Sequence, residues 1–447
     1  MASVAHFRSA YARDRFACTL HKPITLTVRN TNMTQATKKP IITGHLLIFL
    51  VAMLFVEASY SMTTVQVPVF LRELGADIRQ IGSFFTISLI FPLLLRILGG
   101  WISDSIGRLR ALQIGSVFGV LSYVVFVFAP SWQIALMAPA ASAISTALWI
   151  PSYYAYIADQ TSEEMRGRTF GFAETTRKLA WIFAPPLGGF LGQTYGYRWM
   201  FLATAFAAAL AAVTFFILIR IRGALQEPGE GKTDLASLYT SLRVMILMAL
   251  SGGLITWILI TDAVRDSALK ISFELMPVYL TDIGGLTKSD IGLLDGIFGI
   301  AWVATSYPAG WLVDKTSERL CIVLGIAAQL LSMAVFLIAT GFSGFALSWT
   351  LLGIGGAMLE PAFSSLIARG VPQKVRGITY GLTATSLGLF TLPFPWIGGQ
   401  LWNSLGASTP FIITVLLGSL SLLPAWKKLV LPRTMEMETE LSGANGR

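Results

Sequence analysis

The chain has 447 residues, of which 54% are hydrophobic and only 13% charged, with a formal net charge of +9. That composition excludes an ordinary water-soluble globular domain and points to lipid as the solvent. The bases are spread over loops rather than gathered on one face, which argues against nucleic-acid binding, and Cys18 and Cys321 are too few for a disulfide framework.

An apolar run of about 20 residues crosses a bilayer as a helix, because lipid offers no partner to an unpaired backbone amide. Twelve such runs are legible, at residues 43–69, 80–102, 111–129, 132–157, 170–194, 199–220, 246–280, 290–312, 321–340, 344–368, 378–401 and 410–426. These are spans 1 to 12 of an expected all-α membrane protein. Residues 1–40 carry Arg8, Arg13, Arg15, Lys22 and Arg29 against one acid, Asp14. They read as a disordered cytoplasmic tail, with an organelle transit peptide or an over-extended start upstream of Met33 as alternatives. Placing both termini in the cytoplasm leaves only Arg72, Arg79, Arg198 and Lys288 in the outer loops. That bias orients the chain as a multi-pass protein of the cell (inner) membrane.

The chain repeats itself at an offset of 210 without a gap. The register pairs Gly75 with Gly285, Gly82 with Gly292, Gly100 with Gly310, Trp101 with Trp311 and Asp104 with Asp314. It goes on to Pro151 and Pro361, Arg166 and Arg376, Gly171 and Gly381, Pro185 and Pro395, Gly188 and Gly398, Gly189 and Gly399. A six-helix unit used twice predicts two pseudo-symmetric bundles, at 41–220 and 244–426, joined by a cytoplasmic linker at 221–243 and followed by a tail at 427–447. Parallel repeats of this kind frame a substrate site near mid-membrane, the plan of a secondary transporter. Gly231-Lys232-Thr233 in the linker looks like the end of a phosphate loop, but Gln226 stands where its first glycine is needed and no strand precedes it.

Gly100-x3-Asp104-x2-Gly107-Arg108 resembles the loop 2–3 signature of the major facilitator superfamily. Gly171-x8-Ala180-x3-Ala184-Pro185-x2-Gly188-Gly189 resembles the span-5 signature of that family's drug/proton antiporters, with alanine at two glycine positions. The resemblance covers residues 41–430. It implies the family's fold, with Asp104 against the positive start of span 11 and Arg108 paired with Asp159 at the end of span 4. These would latch the cytoplasmic side, and Asp314 and Arg319 form the weakened second copy; the plainer alternative is a set of topogenic loop charges. It also implies a monomer. One departure matters: those antiporters often carry an arginine inside span 4, and residues 132–157 contain neither Arg nor Lys.

A charge at the bilayer centre costs about 3 kcal/mol or more, so ionisable residues within spans are functional candidates. Here they are Glu57, Arg96, Glu174, Arg177, Lys178, Asp262, Arg265, Asp266, Lys270, Glu274, Asp295 and Glu360. Spans 3, 6, 9 and 12 carry none, and read as facing lipid or scaffold. Glu57 shares a helical face with Ser61, Thr64 and Pro68. Desolvation disfavours the charged form of a carboxylate, so a lone acid in an apolar cavity suits proton uptake in one conformation and release in another; the alternative is a packing hydrogen bond. Trp149, Tyr153 and Tyr156 share a face of span 4 and could stack on a flat or cationic ligand or form an interfacial belt. Arg177 is three residues from Glu174, allowing a pair within the helix, while Lys178 is expected to snorkel to the inner surface.

Hydropathy alone would end span 7 near Ile260, but the repeat sets Asp262 to Glu274 opposite the middle of span 1. The length of the repeat's register outweighs the hydropathy, so span 7 is expected to include them. Asp262, Asp266, Lys270 and Glu274 then step by four along one face beside Arg265, as a substrate or proton relay or as a self-paired stripe. Glu360 precedes Pro361, where a bend frees backbone carbonyls for binding or hinging. The expectation is a proton-coupled transporter of a small organic solute, more an exporter than an importer. The rivals are an uptake symporter or facilitator for an organic anion, with Arg265 or Lys270 as countercharge, and a non-transporting membrane sensor. No catalytic motif, cofactor site or metal-ligand set is evident, so no enzyme is expected.

Overall fold

The computed structural model describes residues 44–161, 165–222, 252–371 and 388–430, with residues 96–105, 166–168 and 222 described by backbone only. The expected N-terminal tail, most of the linker, the starts of spans 7 and 11, and the chain after residue 430 lie outside the described residues.

Span 1 is two helices, α1 (Gly44–Thr64) and α2 (Val67–Glu73), broken at Val65-Gln66 where Pro68 can start a helix but not continue one. Spans 2 and 3 are α3 (Ile78–Ile106) and α4 (Arg108–Phe128), turned through Gly107 at φ 89°. Span 4 is the short α5 (Trp132–Ala135) and α6 (Met137–Gln160); spans 5 and 6 are α7 (Arg166–Thr194) and α8 (Tyr197–Arg222).

The second half repeats the plan. Span 7 runs as α9 (Leu254–Ser272), a 3-10 turn (Phe273–Leu275) and α10 (Met276–Asp282). Its charged stripe is therefore helical, as the repeat requires and hydropathy denies. Spans 8 to 10 are α11 (Lys288–Lys315), α12 (Glu318–Ile338) and α13 (Gly341–Gly370). The far part of span 11 is α14 (Phe394–Leu405), and span 12 divides into α15 (Thr409–Ser419) and α16 (Leu422–Lys428).

Local chemistry explains why the halves match in detail. Asp77 and Gln80 form a capping box at the start of α3, each side chain bonding the other's backbone amide, and Thr287 and Asp290 do the same 210 residues later at the start of α11. Both boxes follow a glycine with positive φ, Gly75 at 84° and Gly285 at 65°, a conformation that a side chain would strain. Prolines lie inside the same helices of each half: Pro92 and Pro308, Pro151 and Pro361.

The face carrying these two boxes is called here the far face; the opposite one, carrying the Gly107 turn, is the near face. Toward the far face one apolar core draws on both halves, including Phe70, Phe84 and Phe201 with Tyr279, Phe336 and Phe411. Toward the near face the core divides in two. Phe49, Tyr153, Tyr156 and Phe215 belong to one, and Ile258, Cys321, Ile322 and Leu366 to the other. Among the described residues, then, the halves are joined at the far face and separate at the near face.

Candidate transport site

A cavity of about 480 Å³ opens in the first half, lined by Glu57, Tyr60, Ser88, Tyr123, Ser142, Ser145, Thr146, Trp149 and Arg177 among others. Its hydroxyls come from α3, α4 and α6 as well as α1, so span 3 contributes to it rather than serving only as scaffold. Ser61, expected on the same face as Glu57, is fully buried and its hydroxyl donates to the Glu57 carbonyl at 2.9 Å. Thr64 likewise donates back to Tyr60. The polar step of span 1 is partly internal helix bonding.

Glu57 is the acid of this cavity. Trp181 Nε1 donates to its Oε1 at 2.8 Å, and Arg177 Nε lies 3.3 Å from its Oε2. Arg177 also stands 3.7 Å from Glu174, so one guanidinium serves two carboxylates. Its Cζ lies over the rings of Trp149 at 5.1 Å and Tyr153 at 5.4 Å. Those rings stack on each other 5.2 Å apart, and Tyr156 stacks on Phe49 at 4.4 Å. Tyr153 and Tyr156 have no exposed surface. The aromatic face of span 4 is thus a buried support for Arg177, not an interfacial belt. The sequence pointed only to a pair between Arg177 and Glu174; nothing local to Glu57 pointed to Arg177 as its base.

The span-7 charges pair among themselves. Asp262 accepts from Arg265 at 2.6 and 2.9 Å, Asp266 lies 3.8 Å from the same guanidinium, and Lys270 donates to Glu274 at 3.0 Å. Arg265 also donates to Gln329 of α12 at 3.2 Å. Glu360 is exposed. Asp295 is 5% exposed and its Oδ2 has no hydrogen-bond partner. Lys178 does not snorkel: its ammonium lies 4.3 Å from the Trp302 ring of α11 and 5.9 Å from that of Trp181. Among the described residues no group of His, Cys, Asp and Glu could hold a metal ion.

At the near face Arg108 is ion-paired with Asp159 and donates to the Ala155 carbonyl at 2.7 Å. The second half has Arg369 against Glu318 at 3.1 Å and against Asp314 at 3.6 Å. Arg319 turns away from Asp314 and lies over the Trp426 ring at 4.6 Å. Glu318 and Arg369 are the repeat counterparts of Arg108 and Asp159, so the pair recurs with its charges exchanged. An alignment by identity passes over such a swap. Gly100 and Asp104 fall on α3 where only backbone is described, and the start of span 11 lies outside the described residues.

At the far face the two halves are bound to each other. Arg72 pairs with Asp282 at 3.2 Å, its counterpart 210 residues on, and Lys288 pairs with Glu73. Gln66, fully buried, donates to the Lys288 carbonyl at 3.1 Å and accepts from the Tyr197 hydroxyl at 3.2 Å. In the sequence Arg72 and Lys288 read only as loop charges. Within the span-5 signature Gly171 meets nothing within 4 Å, Gly188 approaches the Met62 backbone, and Gly189 faces Gly292 of the other half. A Cβ on Gly189 would lie 2.5 Å from the Lys288 carbonyl oxygen. Gly82 and Gly399, related to this pair by the repeat, make the second seam, between α3 and α14.

An all-α chain of long apolar helices, built on one six-helix plan used twice with a core shared by both halves at one face, has the architecture of a membrane transporter. The chain belongs to the Major Facilitator Superfamily, whose family model matches residues 49–284 and 264–444. It is 23% identical over 369 residues, 82% of this chain and 88% of the relative, to the uncharacterised MFS-type transporter YqjV of Bacillus subtilis. It is 22% identical to the quinolone resistance protein NorA of Staphylococcus aureus, over 75% of this chain and 84% of that one. The multidrug resistance protein MdtG of Dickeya zeae is also 22% identical, over 86% and 94%. Among solved structures, a peptide transporter POT in complex with sulfate superposes with a TM-score of 0.69 at 14% identity, covering 85% of this chain and 92% of that one. A D-xylose-proton symporter does so at 0.67 and 16%, covering 87% and 97%.

Proposed function

We propose that the protein exports a small organic solute in exchange for protons, with Glu57 as the acid that takes up and releases the proton. The observation that carries this is the trio of Glu57, Arg177 and Glu174. Two carboxylates share one guanidinium where water is scarce, and a single proton removes the surplus negative charge. Uncompensated charge is costly in such surroundings, so the trio is a natural place for protonation to follow the alternation of the cavity. In this reading Arg177 of span 5 supplies the base that the family's drug antiporters often take from span 4. The similarity to NorA, a quinolone resistance protein, and to MdtG, a multidrug resistance protein, supports efflux.

The near face is the cytoplasmic one in this proposal, with both chain termini on that side. In this reading the form described is the one open to the cytoplasm, with its far face held by the glycine seams and by Arg72–Asp282 and Glu73–Lys288. In the opposite form the near face closes, with Arg108–Asp159 and Glu318–Arg369 bracing each half and Gly100, Asp104, Gly107, Asp314 and Arg319 in the closing loops. Proton movement across inverted vesicles energised to an acid interior tests the exchange. Adding a panel of organic cations and anions should dissipate the gradient in wild type and not in Glu57→Gln; no dissipation with any compound, in folded protein, removes the antiport reading.

A second reading, proton-coupled uptake or facilitated passage of an organic anion, has one observation in its favour: Lys178 has no carboxylate at ion-pair distance among the described residues. The bases that the sequence offered to this reading, Arg265 and Lys270, are held by Asp262 and Glu274. Single replacement of Lys178, Arg265 and Lys270 separates the two. Loss of anion uptake with efflux intact favours uptake.

A further inference from the structure

Arg177 and Lys178 are neighbours on α7, and helical geometry turns them about 100° apart. Arg177 points into the first half at Glu57, while Lys178 reaches the seam with the second half. There a chamber of about 160 Å³ is lined by Lys178, Trp181, Phe298, Gly299 and Trp302. Its walls are rings: Trp181 and Phe298 have centroids 6.0 Å apart, and Phe298 and Trp302 5.4 Å. Gly299 lets α11 come close to α7 beside the chamber, since a Cβ there would meet the Trp181 backbone at 2.7 Å. An apolar protein cavity of roughly 150 Å³ accepts a benzene ring, so this chamber matches one six-membered aromatic ring.

The charge in the chamber is a single ammonium. Lys178 leans on the Trp302 face at 4.3 Å, which an aromatic face favours but does not neutralise. Glu174, one turn back on α7, is within electrostatic range, yet its carboxylate is paired with Arg177. What the chamber offers a ligand is three aromatic walls and one unpaired cation. A single ammonium suits a monoanion better than a phosphate, whose charge and several oxygens call for several charged donors.

We propose that Lys178, Trp181, Phe298 and Trp302 form a subsite for an aromatic ring bearing a carboxylate, so that aromatic monocarboxylic acids, or solutes carrying such a group, are ligands of this transporter. The proposal rests only on the chain's being a solute transporter and holds for either direction of transport. The walls come from both halves, α7 on one side and α11 on the other. A ring bound here therefore bridges them. It also rests against the indole whose N–H is held by Glu57, which brings the ligand next to the proposed proton site.

The test is equilibrium binding of radiolabelled benzoate and benzamide to the full chain in lipid nanodiscs, with no gradient applied. The two probes share a shape and differ in charge. Wild type should bind benzoate at least about tenfold more tightly than benzamide, the scale of one charge-assisted hydrogen bond. Lys178→Gln should abolish that preference, and Lys178→Arg should keep most of it. Trp302→Leu should weaken both ligands together. The same melting temperature for wild type and variants in nanodiscs separates these effects from misfolding, and Lys178→Arg with Trp302→Leu still tests the site should Lys178→Gln fail to fold. Equal affinities in wild type, or a benzoate preference that survives Lys178→Gln, overturns the proposal. Because no proton gradient is involved, failure of antiport at Glu57 leaves this result standing, and the reverse.

Discussion

Arg177 shows how one residue can serve several neighbours only if its shape allows it. A planar guanidinium can lie flat on Trp149 and Tyr153 while its edge meets Glu57 and Glu174, and a lysine ammonium cannot do both. Its side chain is 14% exposed and that of Glu57 8%. Removing one member of such a buried pair costs about 3 kcal/mol, because the other is left uncompensated. Arg177→Met should therefore lower thermal stability in detergent, and adding Glu57→Gln should restore part of the loss; two independent, additive losses would show that the residues do not act as a pair. Trp181→Phe keeps the ring and deletes the N–H that Glu57 accepts. A hydrogen bond to a charged group contributes about 2 kcal/mol, so solute-driven proton flux should fall by roughly tenfold or more. Counterflow without a gradient, which needs binding and alternation but no net proton movement, should change little by comparison. An equal fall in both assays would place Trp181 in binding alone.

Between helices, the decisive feature is how closely α7 approaches α11 and α3 approaches α14. Gly189 against Gly292, and Gly82 against Gly399, bring backbones within reach of each other where no side chain fits. The hydrophobic effect does not drive helices together in lipid as it does in water, so such contacts carry much of the association. Gly189→Val should overpack its seam at a cost of about 1–3 kcal/mol, shifting the population of far-closed protein by roughly tenfold or more. A cysteine placed in the far-face cavity wall would then react faster with a membrane-impermeant thiol reagent, and an unchanged rate would mean the seam yields without opening. Elsewhere the bonding is polar: Ser332 and Ser348 tie α12 to α13 through bonds of 2.7 and 2.9 Å, and Thr414 ties α15 to α9 at 2.7 Å. Each such bond within a membrane bundle contributes about 0.6 kcal/mol on average, so these ties brace the second half without locking it.

At the scale of the whole molecule, the described residues form one core shared by both halves at the far face and two separate cores toward the near face. The far-face ion pairs add to the shared core. Arg72 and Asp282 are 44% and 32% exposed, so their pair contributes only about 0.2–1 kcal/mol and is weakened by salt. Arg72→Asp should raise far-face thiol labelling modestly, and the exchanged double variant Arg72→Asp/Asp282→Arg should bring it back toward wild type. A double variant that labels faster than either single one would show that the pair is not a latch. High ionic strength should mimic the single variant and leave the Gly189→Val effect in place, since packing is not screened.

The sequence by itself determined a good deal: the all-α membrane class, the six-helix repeat, and the helical state of Asp262 to Glu274. These follow from patterns that are local or strictly periodic, such as apolar run length and a gapless register of 210. Glu57 was legible as a candidate because a charge in an apolar run is costly wherever the chain goes. Which base it meets was not. Arg177, Trp181 and Glu174 lie on another helix, and whether a side chain points into a cavity, a seam or lipid depends on how two helices rotate against each other. The same holds for Lys178, whose position near the inner end of span 5 suggested snorkelling while packing carried it between Trp181 and Trp302. It holds too for Arg319, drawn to Trp426, and for the pair of Glu318 and Arg369, visible in the repeat only to an eye searching for opposite charge. Periodicity fixes which residues share a helical face; only tertiary structure decides what that face meets, because pairing energies in lipid depend on distances of a few ångströms between elements far apart in the chain.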